Sequence, residues 1–544
     1  MTTKKPRRIV GLIGAAALGV LAFIAGCNPD HEAGAQQRLA NDAATLRRGL
    51  GGEPSTLDPG AAGDNFSLEV LNDLYEGLTA ESPTGEVVPG VAASWSVDES
   101  AMRYEFNLRQ DAKWSNGSAL RAQEFVSAWR RVVDPKTAAP GADNLRLIAG
   151  AEEIIAGRAA PSSLGVSAPR DDLLVVALAR PAPYFPQMLS HPATFPIYSE
   201  SSATSHGSSS WVSNGPYVLS KWTPGASLQL SKNPLYWDRD RVRIEKITYF
   251  PLPDENAELL RYRAGELDLT QSVPASALAM IRKDIPGELH LAPLLATAYY
   301  AFNLKRPPFK ANVALRKAVT MAIDRKVLLA NILPFGQRPA YGFVPSGTWN
   351  YEPPGPQSWD WSDLADAAKT QEARRLYAQA GYSRQTPLHL TLLFNANPSI
   401  KQLAIAVASM WKQTLGIETE LVEEEYRVFL NSRKDLSRWD IVRLGWNADY
   451  DDAGNFLDTF HSGSPNDDAG YENERFDALL DQAEKTANPE QRRSLLEAAE
   501  RQMLSEYPVI PIFFFSSKRL IKPYVKGAAT SPLNGLYSKH LSID

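Results

Sequence analysis

Hydrophobic and polar residues follow two different periods along this chain, one typical of strands and one typical of helices. Short runs rich in β-branched and aromatic residues predict strands at residues 102–108, 173–178, 246–251, 388–394 and 509–515. Longer runs with apolar residues at three- and four-residue spacing predict helices at residues 122–133, 313–329, 370–380, 400–415, 474–487 and 489–505. The alternation of strands and helices is typical of an α/β protein.

One helix shows its packing face clearly in the sequence. Within residues 313–329, four apolar residues recur at three- and four-residue spacing: Leu315, Ala318, Val319 and Ala322. Such a stripe indicates a buried helix face and not a binding site. We therefore expect this helix to pack on the core.

The first 26 residues differ from the rest of the chain. Four Lys and Arg residues precede an apolar run at residues 9–24. A transmembrane helix needs roughly 20 apolar residues, so this run is too short to span a bilayer. A basic start followed by a short apolar run is typical of a secretory signal peptide that is removed from the mature protein.

The end of this segment predicts a lipid anchor. Residues Ile24-Ala25-Gly26-Cys27 resemble the lipobox of bacterial lipoproteins, which implies removal of residues 1–26 and acylation of Cys27. The protein would then be a membrane-anchored lipoprotein of the periplasm, with residues 27–44 as a polar tether. An ordinary signal peptide with an incidental cysteine, and a helix in place of the tether, are the alternatives.

Charge and cysteine content exclude several classes of protein. Loss of residues 1–26 leaves a net charge of −9, because they hold four of the 57 Lys and Arg residues and none of the 62 Asp and Glu residues. No basic run is long enough to follow a phosphate backbone, which argues against a nucleic-acid partner. Cys27 is the only cysteine, so no internal disulfide forms and stability depends on the core. Roughly 500 remaining residues predict two or three packed units.

Several sequence blocks match the pattern of a known family. In chain order they are Glu53-Pro54-Ser55-Thr56-Leu57-Asp58-Pro59, Val88-Pro89-Gly90-Val91-Ala92-Ala93-Ser94-Trp95, Lys113-Trp114-Ser115-Asn116-Gly117, Asn214-Gly215-Pro216-Tyr217, Asn233-Pro234-Leu235-Tyr236-Trp237-Asp238 and Gly445-Trp446-Asn447-Ala448-Asp449-Tyr450. With these blocks, residues 50–544 resemble the oligopeptide and dipeptide solute-binding family that supplies bacterial ABC importers. The last block is most similar to the oligopeptide-binding members. Trp114 and Trp129 are expected in the core, and Asn116-Gly117 is expected to form a tight turn.

The resemblance implies a fold and a role. The fold is α/β, the large type II variant of the two-lobe periplasmic binding protein fold, with an extra subdomain and a hinge. Lobe I would comprise residues 45–78, 205–298 and 515–544, lobe II residues 299–514, and the extra subdomain residues 79–204. The role is that of a monomeric, cofactor-free receptor that captures short peptides and delivers them to permease and ATPase subunits.

A receptor for many peptides must bind the groups that all peptides share. An extended peptide pairs with strand edges without its side chains being read, and its ends are an ammonium and a carboxylate. The resemblance implies that Asp449 pairs with the ammonium and that Arg443 meets the carboxylate of a short peptide. Six residues of strand span about 20 Å but a tripeptide spans about 10 Å, so a bend is expected at Gly445.

The cost of burying the Asp449 carboxylate adds a condition for closure of the cleft. An unpaired Asp449 in a closed cleft would cost several kcal/mol, so closure should require a free N-terminus. The alternatives are a turn or helix cap at Asp449 and a surface ion pair at Arg443.

The remaining binding residues come from the resemblance alone. Arg306 and Arg433 match basic residues that meet the carboxylates of longer ligands, and Tyr426 matches an aromatic wall of a side-chain pocket. Ile400 and Gly63 replace a histidine and a glutamate of the family pattern, so the preferred peptide length and charge stay open. The predicted ligand-binding residues are Arg306, Tyr426, Arg433, Arg443, Gly445, Trp446, Asn447 and Asp449.

Other functions remain as alternatives. A murein tripeptide is the main alternative ligand, and nickel chelates, haem or sugars are others of the same fold, although Asp449 with Arg443 favours a zwitterion over a sugar. A secreted hydrolase is disfavoured because the seven histidines lie far apart and no His-Glu-x-x-His or Gly-x-Ser-x-Gly sequence occurs. No metal is expected either, since the acidic run after Asp449 has Phe460 where a calcium loop needs a glutamate.

Overall fold

Short strands and helices follow one another through residues 45–198, 211–351 and 357–544, which are the residues that the computed structural model describes. The strands are β1 (Thr45–Leu50), β2 (Thr79–Glu81), β3 (Val87–Pro89), β4 (Ala92–Val97), β5 (Arg103–Leu108), β6 (Val166–Arg170), β7 (Leu173–Ala177), β8 (Tyr217–Thr223), β9 (Ser227–Lys232), β10 (Lys246–Pro251), β11 (Leu289–Phe302), β12 (Arg338–Pro339), β13 (His389–Asn395), β14 (Glu418–Glu424), β15 (Ile441–Asn447), β16 (Val509–Leu520), β17 (Val525–Lys526) and β18 (Ser542–Ile543). The α-helices are α1 (Asn65–Leu74), α2 (Ala122–Val133), α3 (Ala151–Ile155), α4 (Phe185–Met188), α5 (Glu255–Arg263), α6 (Leu278–Asp284), α7 (Val313–Met321), α8 (Arg325–Ile332), α9 (Asp366–Gln379), α10 (Pro398–Leu415), α11 (Tyr426–Ser432), α12 (Ala453–Leu457), α13 (Glu474–Glu484) and α14 (Pro489–Glu506).

Two four-stranded sheets build the N-terminal half. One has the order β1-β10-β9-β8, in which β1 and β10 are parallel, and the other is antiparallel with the order β4-β5-β7-β6. Their buried side chains form one continuous hydrophobic cluster, which also includes Ile521 and Leu541 from the C-terminal segment. The end of the chain therefore completes the lobe that its beginning starts.

The second lobe is built on a six-stranded mixed sheet. Its order is β12-β16-β11-β15-β13-β14, with β13 parallel to both of its neighbours. A separate hydrophobic cluster drawn from residues 295–513 covers this sheet. The cluster includes the apolar face predicted for the helix after residue 313, whose four side chains are buried as expected.

Two long strands carry the chain between the lobes. β11 and β16 pair antiparallel from Leu289 with Leu520 to Ala301 with Val509, and the register shifts after Pro293 and again after Ala298. Pro293 has no N–H to donate, which favours an irregularity in the ladder at that point. The protein thus has two lobes, each with its own core, joined by a pair of neighbouring strands.

Local sequence signals explain several elements directly. The helix predicted at residues 122–133 is α2, and its start is stabilised because the Glu124 carboxylate accepts the Arg121 backbone N–H at 2.7 Å. Trp114 and Trp129 are fully buried, as predicted. The turn predicted at Asn116-Gly117 is also present, with Gly117 at a φ of +92°.

One helix prediction is wrong. Residues 313–329 do not form a single helix but the two helices α7 and α8. The break occurs because the Asp324 side chain accepts the Val327 backbone N–H at 3.0 Å and so caps a new helix.

The N-terminal predictions cannot be placed in this structure. Cys27 and the tether at residues 27–44 lie outside the described residues. In the part of the chain that is described, no helix combines the length and the apolarity needed to cross a membrane.

Candidate ligand-binding site

A cleft of about 510 Å³ lies where the two lobes face each other. Its N-terminal wall comes from α1, from residues 190–192 and from the C-terminal segment at residues 532–537, and its opposite wall comes from β11 and from residues 446–449. Because one wall belongs to the N-terminal lobe and the other to the linking strand β11 and the second lobe, a rotation about the linking strands would widen or narrow the cleft. Three of the predicted residues, Trp446, Asn447 and Asp449, line it.

The bend predicted at Gly445 is wrong. β15 keeps a continuous register with β11, with Gly445 opposite Ala298 and Asn447 opposite Ala296. Pairing to β11 holds Gly445 in the sheet, so the chain changes direction only after Asn447, in the bend at residues 449–452.

Asp449 presents an uncompensated carboxyl group to the cleft. Among the described residues no cation forms an ion pair with it, and the residue is exposed. Desolvation raises the pKa of Asp449, a hydrogen bond from the side chain of Asn455 opposes that rise, and the charge of Asp143 adds to it. This carboxyl group is therefore available to a cationic group of a ligand.

The wall of the cleft from the N-terminal half is also acidic. Glu69 and Glu81 line it, and the described lining of the cleft includes no Lys or Arg residue. Glu69 forms an ion pair with the buried Arg48, whereas burial raises the pKa of Glu81. Burial lowers the pKa of His191, also in the lining, to about 4, so this histidine is neutral near pH 7. The cleft as a whole favours a positively charged group.

Arg443 is a partly buried cation that forms no ion pair with any of the described residues. It lies opposite Tyr300 of β11, and the charged or polar neighbours that influence it are the phenols of Tyr299, Tyr300 and Tyr426. Burial lowers the pKa of Arg443, and within the described residues its Nε has no hydrogen-bond partner. The alternative of a surface ion pair at Arg443 is therefore not observed in the described part of the chain.

The other two predicted arginines are already paired. Arg306 donates to the Asp440 carboxylate at 3.0 Å and to the Trp439 carbonyl at 2.8 Å. Arg433 lies 3.3 Å from the Asp468 carboxylate. A ligand carboxylate would have to compete with these aspartates.

The structure thus divides the predicted residues into two groups. Trp446, Asn447 and Asp449 belong to the cleft, whereas the described lining of the cleft does not include the others. Arg443 has Tyr426 as a neighbour, and the charges of Arg433 and Arg443 both act on Tyr299. Arg306 contacts the residues just before β15.

Sequence reasoning missed the residues that fix the loop after β15. Tyr450 stacks on Tyr184 of the N-terminal half, with ring centroids 5.1 Å apart and planes inclined by 5°. Arg492 lies 4.6 Å from the Tyr184 ring and donates to the Asp452 carboxylate at 2.5 and 2.8 Å. Asp452 also caps α12, a role considered for Asp449. No local pattern reveals the ring stacking or the ion pair, because both join distant parts of the chain.

Comparison with known proteins identifies the family. The model of bacterial extracellular solute-binding proteins, family 5 Middle, matches residues 86–468. The periplasmic oligopeptide-binding protein OppA of Escherichia coli (strain K12) is 36% identical over 509 residues, which cover 92% of each chain. The probable deoxycholate-binding periplasmic protein YgiS of the same strain is 36% identical over 499 residues, which cover 90% of this chain and 92% of YgiS.

A solved structure agrees with this assignment. MppA, a periplasmic murein tripeptide-binding protein in its unliganded open form, superposes with a TM-score of 0.83 at 34% identity, covering 92% of this chain and 98% of MppA. The two-lobe fold of periplasmic binding proteins is therefore confirmed. Because the family consists of solute-binding proteins, the hydrolase alternative is set aside. The chain belongs to the bacterial extracellular solute-binding proteins of family 5.

Proposed function

We propose that this protein is the substrate-binding component of an ABC importer and that it binds short peptides through their charged ends. In this proposal Asp449 pairs with the α-ammonium and Arg443 meets the α-carboxylate of a short peptide. The similarity to OppA, which is named for oligopeptide binding, supports this ligand class.

The observation that carries the proposal is a pair of opposite charges that have no counter-ion among residues 45–198, 211–351 and 357–544. Among the described residues, Asp449 and Arg443 form no ion pair, although desolvation acts on both side chains. An uncompensated charge in a closing cleft is costly until a counter-charge arrives. A zwitterionic ligand supplies both counter-charges at once, and the acidic lining of the cleft favours its ammonium end.

The proposal extends to the rest of the chain. A lipid anchor at Cys27 would hold a monomeric receptor at the membrane of the periplasm. Lobe I would comprise residues 45–78, 205–298 and 515–544, with residues 79–204 as its extra subdomain and residues 299–514 as lobe II. Separate hydrophobic clusters support the division into two lobes, and residues 79–204 share one cluster with lobe I.

The test removes the ammonium charge of the ligand. The mature chain is unfolded and refolded to remove bound ligand, and calorimetry then compares an extended tripeptide with its N-acetylated form. We expect the free form to bind more tightly by about 2–5 kcal/mol, because acetylation leaves Asp449 without a cation. The preference should vanish in Asp449→Ala and persist in Asp363→Asn, a matched change at an exposed aspartate outside the described lining. Equal binding of the two forms would contradict the proposal.

A murein tripeptide is the second candidate ligand, because the fold superposes well on MppA. It also carries an ammonium and carboxylates, so Asp449 and Arg443 do not separate the two ligands. Competition between the murein tripeptide and an ordinary tripeptide decides between them. Deoxycholate, the ligand in the name of YgiS, has a carboxylate but no ammonium. Displacement of bound tripeptide by deoxycholate in wild type and Asp449→Ala alike would argue against recognition of the ammonium.

A further inference from the structure

One buried amide, that of Asn455, contacts two residues of the cleft lining, Trp446 and Asp449. The Oδ1 atom of Asn455 accepts the indole N–H of Trp446 at 2.9 Å and the backbone N–H of Asp449 at 3.3 Å. The Asn455 side chain also acts on the Asp449 carboxyl group, whose pKa it lowers. The same side chain therefore fixes the backbone of Asp449 and the ring of Trp446.

Asn455 is itself held rigidly. It lies in α12, is only 6% exposed, and its backbone N–H donates to the Asp452 carbonyl at 3.1 Å. Asp452 begins α12 by accepting the Gly454 N–H at 2.8 Å and forms the buried ion pair with Arg492. The orientation of Asn455 is thus fixed by the same framework that fixes the loop.

We propose that Asn455 is a positioning residue for ligand binding, which holds the Asp449 carboxylate and the Trp446 ring in the orientation that receives the N-terminal end of a peptide. This inference rests on the proposed function. The side chain does not line the cleft in the described structure, so it acts through Asp449 and Trp446. Without it, the Trp446 indole N–H and the Asp449 backbone N–H would lose their acceptor, and each ligand would have to order this segment again.

If Asn455 positions Asp449, its replacement should weaken the binding of ligands that have a free ammonium group. A change that only weakens the fold would lower the affinity for free and N-acetylated tripeptides by the same factor. Loss of a positioning contact to Asp449 instead lowers the affinity for the free form selectively. It also moves the acid limb of the binding curve to higher pH, because the amide donor stabilises the ionised carboxylate.

The experiment measures both forms of the tripeptide on the refolded mature protein between pH 4 and pH 8. The variants are Asn455→Leu, which keeps the size but removes the hydrogen bonds, and Asn455→Ser, which retains one hydroxyl. Asn331→Ala serves as the control, since Asn331 is an exposed helical residue whose amide donates only to the Val327 carbonyl. We expect Asn455→Leu to bind the free form roughly tenfold more weakly, Asn455→Ser to recover part of the loss, and Asn331→Ala to match wild type.

The outcomes separate this inference from the proposed function. If wild type itself shows no preference for the free form, the proposed function fails. If wild type prefers the free form and Asn455→Leu keeps the same ratio and the same pH curve, the positioning role of Asn455 is overturned. Thermal unfolding confirms that each variant is folded, and Asn455→Ser decides the matter if Asn455→Leu does not fold. A double variant with Asp449→Ala should lose less affinity than the sum of the two single losses, because the two residues contact each other.

Discussion

Two arginines of the C-terminal lobe, the buried Arg492 and the partly buried Arg443, have opposite surroundings. Burial alone would lower the pKa of Arg492, but the carboxylate of Asp452 outweighs it and the pKa is raised. Arg443 has phenols for neighbours and, in the described part of the chain, no carboxylate, so burial lowers its pKa. An arginine with a protein counter-ion stabilises the fold, whereas one without a counter-ion is free to bind an anionic ligand group.

The same contrast separates the acidic residues at the end of β15. Asp452 is paired with Arg492 and caps a helix, and the neighbouring Asp449 has no cation partner among the described residues. The proposed function thus places ligand binding at Asp449, three residues from Asp452 and its ion pair with Arg492. The following variants test whether the presence of a partner distinguishes the two roles.

The largest expected effect is the loss of stability on replacement of Arg492, which is paired with Asp452. Arg492→Met leaves the buried Asp452 carboxylate uncompensated, so we expect the free energy of unfolding to fall by about 3–5 kcal/mol. Urea unfolding measures this change. The double variant with Asp452→Asn should recover part of the loss. A decrease below about 1 kcal/mol in the single variant would show that the ion pair does not stabilise the fold.

Asp451 should make stability depend on pH. Desolvation raises its pKa to about 7, the Trp349 backbone N–H opposes this, and the charges of Asp452 and Glu81 add to it. The unfolded chain has a pKa near 3.9 at such a residue, so the folded state binds the proton more tightly. Stability is therefore lost as pH rises from about 4 to about 7 and stays level above.

Comparison with Asp451→Asn isolates that contribution. The variant lacks the titrating group, so its stability relative to wild type should rise by roughly 2 kcal/mol between pH 4 and pH 7. Urea unfolding at several pH values measures the difference. Asp363→Asn, at an exposed residue, should show no such trend. A constant difference between wild type and Asp451→Asn would contradict the prediction.

Replacement of Arg443 should raise the free energy of unfolding, whereas replacement of Arg492 should lower it. Arg443→Met removes a partly buried cation without exposing an unpaired anion, so the free energy of unfolding should rise by about 1 kcal/mol. Affinity for a free tripeptide should fall, and calorimetry with the C-terminally amidated tripeptide should show no further loss. Destabilisation like that of Arg492→Met would mean that Arg443 has a structural role.

The smallest effect on stability and on tripeptide affinity is expected on replacement of Arg306. Its ion pair with Asp440 is partly exposed, and such pairs contribute about 1 kcal/mol or less. Arg306→Met should therefore change stability by less than about 1 kcal/mol and leave tripeptide affinity within a factor of about two. Thermal unfolding and calorimetry check both values. A large loss of tripeptide affinity would place Arg306 among the residues that bind short ligands.

Elements with local signals were predictable from the sequence. The helix α2 and the strand β10 have the predicted bounds, because their apolar residues follow one clear period. β11 was missed because its second half is buried on both faces and so shows no alternation. The break at Asp324 was missed because apolar residues resume at Leu328 and Leu329 soon after it.

The site was only partly predictable. The resemblance pointed to Asp449 and Trp446, and the structure places both in the cleft. It could not point to Asn455, whose contacts depend on how the chain folds back after β15. It also could not show that Arg306 and Arg433 are engaged by aspartates, because ion pairing depends on distances in space.

The pairing of β11 with β16 has a consequence for the evolution of this protein. The chain leaves the N-terminal core along one of these strands and returns along the other, and the two strands are hydrogen-bonded neighbours. The second lobe is thus a single continuous insertion with adjacent ends. Recombination at these two points would exchange the whole lobe as one cassette, replacing one wall of the cleft, including Asp449, while the other wall is inherited unchanged.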